Sequence, residues 1–449
     1  MSSKQRYLDF ESRFNIRPSV PLDPPADGVC RGWQQVTSQL REAAGGGVIV
    51  IETYQGVGIE RIKSEFTRSG EPIEILDTRM LLKPTSQIHS MTFADVTDDR
   101  VFGRMTRLTL DDFFADSDDD RQVSAQLVIG PGATEFVADP GVTVYADMPR
   151  WEIQQRQRAG GVDSLGLDNR SEDAAVLYKR SYFVDWRVLD RHKKKVMPTA
   201  DYYLESVDPD SPQMIRTTAL IQALTQVATR PFKPMPFFDP GVWGGHWMEE
   251  VCGIESDAPN QAWCFNCVPE ENSLLLSFGD RTLEIPAINL VFFEARRLLG
   301  DPVRSRFGDE FPIRFDFLDT MDGENLSFQV HPMTSYIQEQ FGVAYTQDES
   351  YYIMAAEPGA VVYLGLKDGV DPVAMKDDLV AAEQGQQAFP AEQYAGKWPA
   401  RKHDHFLIPA GTPHCSGAGC MVLEISATPY IFTFKMWDWG RVGLDGKPR

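Results

Sequence analysis

The sequence predicts two domains of different fold class, an α/β domain built on a parallel sheet over residues 1–230 and an all-β domain over residues 231–449. A chain of 449 residues with 42% hydrophobic content can bury two cores, because single domains usually contain roughly 100–200 residues. Apolar strand-like segments alternate with helical segments in the first part of the chain, whereas short β-rich segments separated by Gly and Pro fill the rest.

The α/β domain is predicted from apolar segments of strand length. Residues 48–51 (VIVI) have the continuous apolar character of a buried strand, and residues 122–129 and 142–146 are interpreted as further strands. Helices are expected at residues 59–67 and 151–158, close to those strands in sequence. Such an alternation of strands and helices is typical of a parallel sheet.

The predicted boundary follows a helix that we expect over residues 213–229, with Ser211 as its N-cap and Pro212 at its first position. The next segment, residues 230–240 (RPFKPMPFFDP), is rich in proline, which interrupts regular structure. We therefore place the domain boundary between residues 230 and 231.

The second domain is predicted to be a β-sandwich or barrel, because many short strand-like segments follow one another. One helix, over residues 287–299, is expected to interrupt them. No internal repeat of fixed period is visible, which excludes solenoid and propeller folds. The predicted strands are residues 311–318, 326–330, 351–355, 360–366, 406–408, 421–425 and 430–436.

The charge of the chain excludes several classes of partner. The formal net charge of -21 and the isoelectric point near 4.8 repel phosphate backbones and anionic membranes, so we expect neither nucleic acid nor membrane as a partner. No apolar leader follows the N-terminal residues, and no apolar segment is long enough to span a bilayer. We therefore expect a soluble, cytoplasmic protein.

The six cysteines are too few and too scattered for a disulfide framework, so reduced thiols are expected. Cys264 and Cys267 have the spacing of a redox CxxC motif, which normally requires a helix after its first cysteine. Here Val268 and Pro269 end a strand-like segment instead. We therefore predict a structural role for this pair.

Four side chains of the metal-ligand type occur on separate predicted elements of the second domain. Gln329 and His331 are two residues apart in a strand, so both side chains point to the same face. Glu349 stands just before an apolar strand, and His414 follows the tight turn after another. Two imidazoles, one carboxylate and one amide oxygen suit a divalent transition metal. For each histidine taken alone, the alternative is a hydrogen-bonded structural role.

Around these residues the sequence resembles the cupin superfamily, and within it the type I mannose-6-phosphate isomerases. Residues 409–414 (PAGTPH) match the second cupin motif, and residues 327–332 (SFQVHP) resemble the isomerase form of the first. The matches cover about residues 235–449 in the order of the family, which makes chance an improbable explanation. Further matches occur at residues 243–245 (WGG), 311–312 (FP), 357–360 (EPGA) and 438–441 (DWGR).

The resemblance implies a jelly-roll barrel of the cupin type that binds one zinc ion. The implied zinc ligands are Gln329, His331, Glu349 and His414, and Arg441 takes the position of an active-site arginine of the family. The implied activity is the interconversion of mannose 6-phosphate and fructose 6-phosphate, with a small sugar phosphate as the partner. In such a reaction a fixed cation stabilises the enediolate that forms as a proton moves between C1 and C2. For Arg441 the alternative is a surface role.

The sequence departs from this family at three positions near the expected site. Gln347 replaces a lysine two residues before the metal glutamate, Asp316 replaces another lysine, and Met333 replaces the carboxylate after His-Pro. These changes predict weaker phosphate binding or proton transfer beside a complete metal site. Two hypotheses follow: an isomerase of low activity, which we favour, and a protein that binds a sugar or sugar phosphate without converting it. Family members usually continue into a further β segment, so a shortened chain and a missing second barrel are both open.

The first domain has a fainter resemblance to P-loop kinases of the uridine-kinase and phosphoribulokinase type. The strand predicted at residues 48–51 is followed by residues 52–60 (ETYQGVGIE), at the place of a phosphate loop. Ile59 and Glu60 occupy the positions of the phosphate lysine and the magnesium hydroxyl, so we expect a degenerate kinase fold without tight ATP binding. A basic run within residues 178–195 indicates either an anion site or a solvated helix face.

Overall fold

The computed structural model describes residues 14–68, 73–115, 125–428 and 432–442. The chain divides into two compact units. The α/β unit comprises Ser19–Pro234 and Ser273–Glu310, and the β unit comprises residues 14–18, Met235–Asn272 and the described residues from Phe311 onward. The predicted domains, residues 1–230 and 231–449, differ from these units mainly in the segment Ser273–Glu310, which belongs to the α/β unit.

The helices occur in both units, and a π-helical turn at Ser181–Asp185 connects two of them. None of the described helices combines the length and apolar composition that a bilayer crossing requires. The α-helices are α1 (Trp33–Ala44), α2 (Ile59–Arg68), α3 (Thr85–Val96), α4 (Arg150–Arg158), α5 (Ala174–Arg180), α6 (Trp186–Val196), α7 (Thr217–Val227), α8 (Trp247–Cys252), α9 (Ile288–Phe307), α10 (Thr334–Phe341), α11 (Pro372–Glu383) and α12 (Ala391–Tyr394). Short 3-10 helices lie at Thr78–Leu81, Leu110–Phe113, Ala133–Phe136 and Met197–Thr199.

The strands form separate sheets in the two units. In the α/β unit they are β1 (Ser19–Leu22), β2 (Cys30–Arg31), β3 (Ile49–Thr53), β4 (Ile75–Asp77), β5 (Leu127–Gly130), β6 (Val142–Asp147), β7 (Tyr202–Glu205), β8 (Gln213–Arg216), β11 (Ser273–Phe278) and β12 (Arg281–Pro286). In the β unit they are β9 (Phe237–Asp239), β10 (Trp263–Cys267), β13 (Arg314–Asp319), β14 (Phe328–Val330), β15 (Glu349–Ala356), β16 (Val361–Leu366), β17 (Ala395–Pro399), β18 (His405–Ile408), β19 (His414–Ser416), β20 (Cys420–Ser426) and β21 (Phe434–Trp437).

The main sheet of the α/β unit has the strand order β2-β8-β7-β6-β3-β5-β4. Strands β4, β5, β3, β6 and β7 are parallel, and β8 pairs antiparallel with β7 and β2. The central strand β3 is buried at every position, as its continuous apolar character predicts. Ile59, Ile62 and Phe66 are spaced to share one buried face of α2, the helix that follows β3. The predicted α/β character is thus confirmed.

A second, three-stranded sheet of the α/β unit explains the place of Ser273–Glu310. Strand β1 pairs in parallel with β11, which forms a hairpin with β12. Leu274, Leu276 and Ile285 from this hairpin share a buried cluster with Leu220 and Leu224 of α7. Burial of these apolar side chains against α7 keeps the segment with the α/β unit although it follows residue 230.

The β unit is a sandwich of two antiparallel sheets. One has the order β18-β15-β20-β13-β10-β9, and the other has the order β17-β16-β19-β14-β21. Tyr351, Val422, Phe328, Val362 and Cys415 from the two sheets lie together in one buried cluster. This arrangement agrees with the predicted β-sandwich or barrel, in which alternate side chains of each strand face the core.

Several predicted elements differ from the structure. Residues 213–216, predicted as the start of a helix, form β8, because their backbone pairs with β7, and the helix begins at Thr217. Helices α10 and α11 were not predicted, and α9 extends to Phe307 with non-helical backbone at Glu294 and Gly300. Parts of two predicted strands, residues 122–124 and 430–431, lie outside the described residues; the neighbouring residues form β5 and β21.

Candidate metal centre

The four predicted ligands come from adjacent strands and their ends. Gln329 lies in β14 and His331 follows that strand directly, whereas Glu349 opens β15 and His414 opens β19. Gln329 and His414 are opposite partners in the β14–β19 ladder, so their side chains point to the same face. The fold therefore brings residues that are far apart in sequence to one location.

Three of the four predicted ligands form a compact buried group. Each of His331, Glu349 and His414 offers one ligand atom, and these atoms lie within 4.8 Å of one another. The Nε2 atom of His331 lies 3.1 Å from Glu349 Oε2, and the Nε2 atom of His414 lies 2.7 Å from Glu349 Oε1. Both imidazoles are almost completely buried. This spacing is compatible with a single ion held between the three side chains.

The other ring nitrogens fix the orientation of the two histidines. The Nδ1 of His331 lies 3.0 Å from the carbonyl oxygen of Phe432, and that of His414 lies 2.8 Å from the carbonyl oxygen of Thr412. Because a carbonyl oxygen only accepts, each Nδ1 carries the proton, and Nε2 of the neutral ring is an acceptor. Two acceptor nitrogens then face the carboxylate of Glu349. Such a group needs a cation between its members, either protons or a metal ion.

Gln329 lies at the edge of this group. Its amide nitrogen Nε2 is 3.3 Å from Nε2 of His414, and its Oε1 accepts a hydrogen bond of 3.3 Å from the Thr433 hydroxyl. Gln329 is half-buried, whereas His331, Glu349 and His414 are buried. The two imidazoles and the carboxylate therefore fit a divalent ion of the zinc type, whereas Gln329 turns its amide nitrogen, which does not coordinate metals, toward His414.

Gln347 lies directly behind the metal-ligand group. Its Nε2 donates a hydrogen bond of 2.8 Å to Glu349 Oε2 and is 3.3 Å from both Glu424 Oε1 and the Ser426 hydroxyl. Its Oε1 accepts from the backbone N–H of Phe432 at 3.2 Å. Gln347 therefore orients the carboxylate of Glu349.

A buried arginine that the sequence analysis did not single out lies in the same layer. Arg314 forms ion pairs with Asp316, at 3.1 Å, and with Glu424. Arg314 and Glu349 both pair with Ser426 of β20, so the three residues form one row across the sheet. The charge of Asp316 is thus balanced by a guanidinium in the same layer as the metal-ligand group.

The pKa values of the carboxyls in this layer reflect competition between burial and charge. Burial raises the pKa of Glu349, but when protons occupy the two Nε2 atoms, the positive charges of His414 and His331 outweigh burial and hold the pKa of Glu349 well below its usual range. Burial, with the nearby charges of Asp316 and Glu349, raises the pKa of Glu424 well above its usual value. Burial also raises the pKa of Asp316 to about 6 despite Arg314. Glu349 is therefore the carboxyl of this group that stays ionised to the lowest pH.

Arg441, the predicted catalytic residue, lies in a different set of contacts. Its guanidinium donates to the carbonyl oxygen of Asn325 at 2.6 Å and to Asp438 Oδ1 at 2.5 Å, and its Nη1 is 3.4 Å from Glu324. Asp438 also accepts a hydrogen bond of 2.8 Å from Ser327. These contacts link the segment before β14 to the end of β21, and none of them involves a predicted metal ligand.

Lys435 is a cation that the sequence analysis did not consider. It is the opposite partner of Gln329 in the β14–β21 ladder, and Gln329 is in turn opposite His414. The three side chains therefore share one face of the sheet. Lys435 is about half exposed and lies 3.4 Å from Asp438. The register of β14 and β21 shifts between Phe328 and Gln329. The place of Lys435 opposite Gln329 depends on this irregular pairing, so spacing along the sequence could not predict it.

The other residues singled out in the sequence have structural contacts. The six cysteines are reduced thiols, as expected, and Cys264 and Cys267 lie within β10, where burial raises the pKa of Cys267 to about 12. In the basic run, Arg180 pairs with Asp185 and the buried Lys193 pairs with Asp147 at 2.8 Å. These two basic residues therefore stabilise the interior of the α/β unit and do not form an anion site.

Comparison with known proteins finds a family model and curated relatives that are each similar to part of this chain. Residues 32–229 match a domain of unknown function (DUF8485). A mannose-6-phosphate isomerase of Streptococcus mutans is 27% identical over 210 residues, which are 46% of this chain and 60% of that protein. Mannose-6-phosphate isomerase ManA of Bacillus subtilis is 24% identical over 225 residues, 50% of this chain and 65% of that protein. The chain thus spans less than two thirds of the length of these relatives.

Among solved structures, the mannose 6-phosphate isomerase from Bacillus subtilis has a TM-score of 0.40 and 22% sequence identity to this chain. The match covers 48% of this chain and 64% of that structure.

Proposed function

We propose that the β unit is a cupin-type, metal-dependent sugar-phosphate isomerase that interconverts mannose 6-phosphate and fructose 6-phosphate. The observation that carries this proposal is the buried group of His331, Glu349 and His414, whose ring nitrogens and carboxylate face each other at a spacing that suits one ion. The sequence similarity to mannose-6-phosphate isomerases supports the choice of reaction. The donor set favours zinc as the bound ion.

His331, Glu349 and His414 would hold a divalent ion, which would supply a Lewis acid next to the substrate carbonyl and a positive charge to offset an enediolate. The carbonyl oxygens of Phe432 and Thr412 keep the two imidazoles in the tautomer that presents Nε2. Gln347 donates a hydrogen bond to Glu349 that holds its carboxylate in place, and Glu424, which pairs with Arg314, lies 3.3 Å from the same amide nitrogen. The protein thus fixes its ligands before substrate arrives, which limits the reorganisation needed during reaction.

Lys435 is proposed to contact the anionic part of the substrate. Its position opposite Gln329 places it on the ligand face of β21, and its half-exposed ammonium is accessible from solvent. Arg441 was predicted for such a role from the sequence, and it remains a candidate. Its hydrogen bonds to Asn325 and Asp438 favour a positioning role for the end of β21.

The second candidate function is a protein that binds a sugar or sugar phosphate through the same metal and does not convert it. Gln347 favours this alternative, because a neutral amide stands where the family has a lysine, and losing one cation can slow turnover by about 10²–10³-fold. The isomerase is therefore expected to have low activity.

A coupled assay with mannose 6-phosphate and the zinc-loaded full-length chain tests the proposal. Activity should be detectable, should disappear on chelation and should return with zinc. Lys435→Met should raise KM or lower kcat at least tenfold, since an ion pair with a substrate group contributes roughly that factor. Lys397→Met, which removes an exposed lysine of β17, is the matched control. Absence of turnover in a chain that holds one zinc and binds the sugar phosphate would favour the binding protein.

For the α/β unit we propose a degenerate P-loop kinase-like fold. The order β4-β5-β3-β6-β7, with a loop and α2 following the central strand β3, supports this assignment. Ile59 and Glu60 open α2, where a nucleotide-binding loop has its lysine and hydroxyl. Calorimetry with magnesium and ATP should show no micromolar site, and such a site would refute the degenerate assignment.

A further inference from the structure

A cleft of about 620 Å³ lies in the α/β unit at the carboxyl end of β3. None of the proposed metal ligands lines it. Its walls are the loop at residues 54–58, the starts of α2 and α3, and the loop at residues 161–168. After β3 the chain continues to β4 on one side of the sheet, whereas after the neighbouring strand β6 it continues to β7 on the other side. Small ligands of α/β proteins commonly bind where the strand order reverses in this way.

The wall at residues 161–168 is held in one conformation by its own polar side chains. Oδ1 of Asp163 accepts hydrogen bonds from the backbone N–H groups of Asn169 and Arg170, at 2.9 and 2.7 Å. Gly166 has φ of +73°, and a Cβ there would lie 2.3 Å from Cδ1 of Ile88, so only glycine allows this close contact with α3. The cleft is therefore preformed against α3.

The two helix starts that line the cleft differ in charge. Helix α2 has Glu60 in its first turn, and this carboxylate pairs with Arg79 and Lys63. Helix α3 has no acidic residue in its first turn, and its N-cap, Pro84, offers no side-chain acceptor. The first backbone N–H groups of a helix have no partner within it, so the start of α3 can accept an anion.

Lys83 adds a positive charge immediately before this helix start. Its ammonium donates a hydrogen bond of 2.8 Å to the backbone carbonyl oxygen of Asp112. Because this acceptor is uncharged, the hydrogen bond does not neutralise the charge of Lys83. The other cations of the cleft, including Arg79 and Arg170, are paired with carboxylates. The most favourable position for an anionic group is therefore between Lys83 and the N-terminus of α3.

Gln55 provides an independent sign that the cleft holds a ligand. Its side chain lines the cleft, is only 7% exposed, and has an Oε1 atom without a hydrogen-bond partner. Its Nε2 atom lies 3.2 Å from the carbonyl oxygen of Asp163 and 3.4 Å from Asp185. A buried acceptor without a donor is unfavourable, and a hydroxyl group of a bound molecule would satisfy it.

We propose that this cleft binds a phosphomonoester of a hydroxylated small molecule, such as a sugar phosphate or a nucleoside monophosphate. The phosphate lies at the start of α3 beside Lys83, and a hydroxyl group of the ester donates to Gln55. The cleft volume is within the range of about 300–1,000 Å³ that is typical of small-molecule sites. This proposal is independent of the isomerase proposal, because it uses only residues of the α/β unit.

Isothermal titration calorimetry on the full-length chain carrying His414→Ala tests this site with the proposed metal centre disabled. The probes are inorganic phosphate, glucose 6-phosphate and AMP, which separate the phosphate from the two kinds of ester. We expect one site per chain, with at least one ester bound more tightly than inorganic phosphate. Lys83→Met should weaken binding about tenfold, and Lys195→Met, which removes an exposed lysine of α6, should not.

Two further variants distinguish a lost ligand contact from a lost fold. Thr85→Asp places a carboxylate in the first turn of α3, which favours the helix but repels phosphate, so binding should be lost without a lower melting temperature. Gln55→Leu should weaken the ester at least fivefold and leave inorganic phosphate unchanged. Absence of binding by all three probes at millimolar concentration would overturn the proposal. Equal binding by wild type, Lys83→Met and Thr85→Asp would also overturn it.

Discussion

Replacement of Gln347 by leucine tests whether this residue orients the metal-binding carboxylate. The change removes the hydrogen bonds of 2.8 Å to Glu349 and 3.3 Å to Glu424 and Ser426, together with the acceptor for Phe432 N–H. Each such bond contributes about 0.5–1.5 kcal/mol, and burial of the leucine recovers part of the loss, so the free energy of unfolding should fall by about 2–3 kcal/mol.

The effect on metal binding should be larger than this loss of stability alone explains. Removing a partner that orients a metal ligand typically lowers metal affinity about 10–100-fold. Zinc affinity, measured by competition with a chromophoric chelator at a temperature where both proteins are folded, should fall by this factor. Gln393→Leu, an exposed substitution in the same unit, should leave zinc affinity and stability unchanged.

Gln347→Lys tests separately the two hydrogen-bonding roles of this side chain, as a donor to Glu349 and as an acceptor for the backbone N–H of Phe432. Lysine keeps a donor for Glu349 but cannot accept from the backbone of Phe432, so zinc affinity should lie between those of the wild type and the leucine variant. If zinc affinity in the leucine variant remains within about threefold of wild type, Gln347 does not orient Glu349 and this reasoning fails.

Three further substitutions test other parts of the structure. Arg314→Met leaves two buried carboxylates without their cation and should lower the free energy of unfolding by about 3–5 kcal/mol, measured by urea denaturation against Arg401→Met as an exposed control. Burial raises the pKa of Glu205 to about 7 in the folded state, compared with about 4.5 in the unfolded chain. The unfolded chain therefore ionises first, and the free energy of unfolding falls as pH rises from about 4.5 to 7. Glu205→Gln should therefore increase stability at pH 8, by up to about 3 kcal/mol, and have little effect near pH 4.5, which thermal melts at both pH values would check. Gly245→Ala places a Cβ 2.1 Å from the carbonyl oxygen of Met321 and should cost at least about 2 kcal/mol, whereas an unchanged melting temperature would contradict that close packing.

Those parts of the fold that depend on local patterns could be predicted from the sequence. The apolar segment at residues 48–51 indicated the central strand, and Ile59, Ile62 and Phe66 fit the spacing of an amphipathic helix. Residues 213–216 were predicted as helix because the following residues have helical periodicity. Pairing of their backbone with β7 determines the strand, and a partner distant in sequence is not visible in local propensity.

The candidate site shows the same distinction between local and long-range information. His331 and His414 stand in recognisable motifs, and the structure brings both of them to Glu349. Arg314 and Lys435 were missed because their positions depend on register with β20 and β14, respectively. A one-residue change of register would move either side chain to the opposite face, so spacing along the chain cannot establish such contacts.

The exchange of the substrate's C2 proton tests the central claim most directly. Mannose 6-phosphate should be incubated in D₂O with the zinc-loaded chain, with the chelated chain and with the His414→Ala variant, and followed by proton NMR. The isomerase account predicts fructose 6-phosphate formation or deuterium incorporation at C2 only with the zinc-loaded wild type, because proton transfer requires the stabilised enediolate. Binding of mannose 6-phosphate to the zinc-loaded chain without conversion or exchange would contradict it.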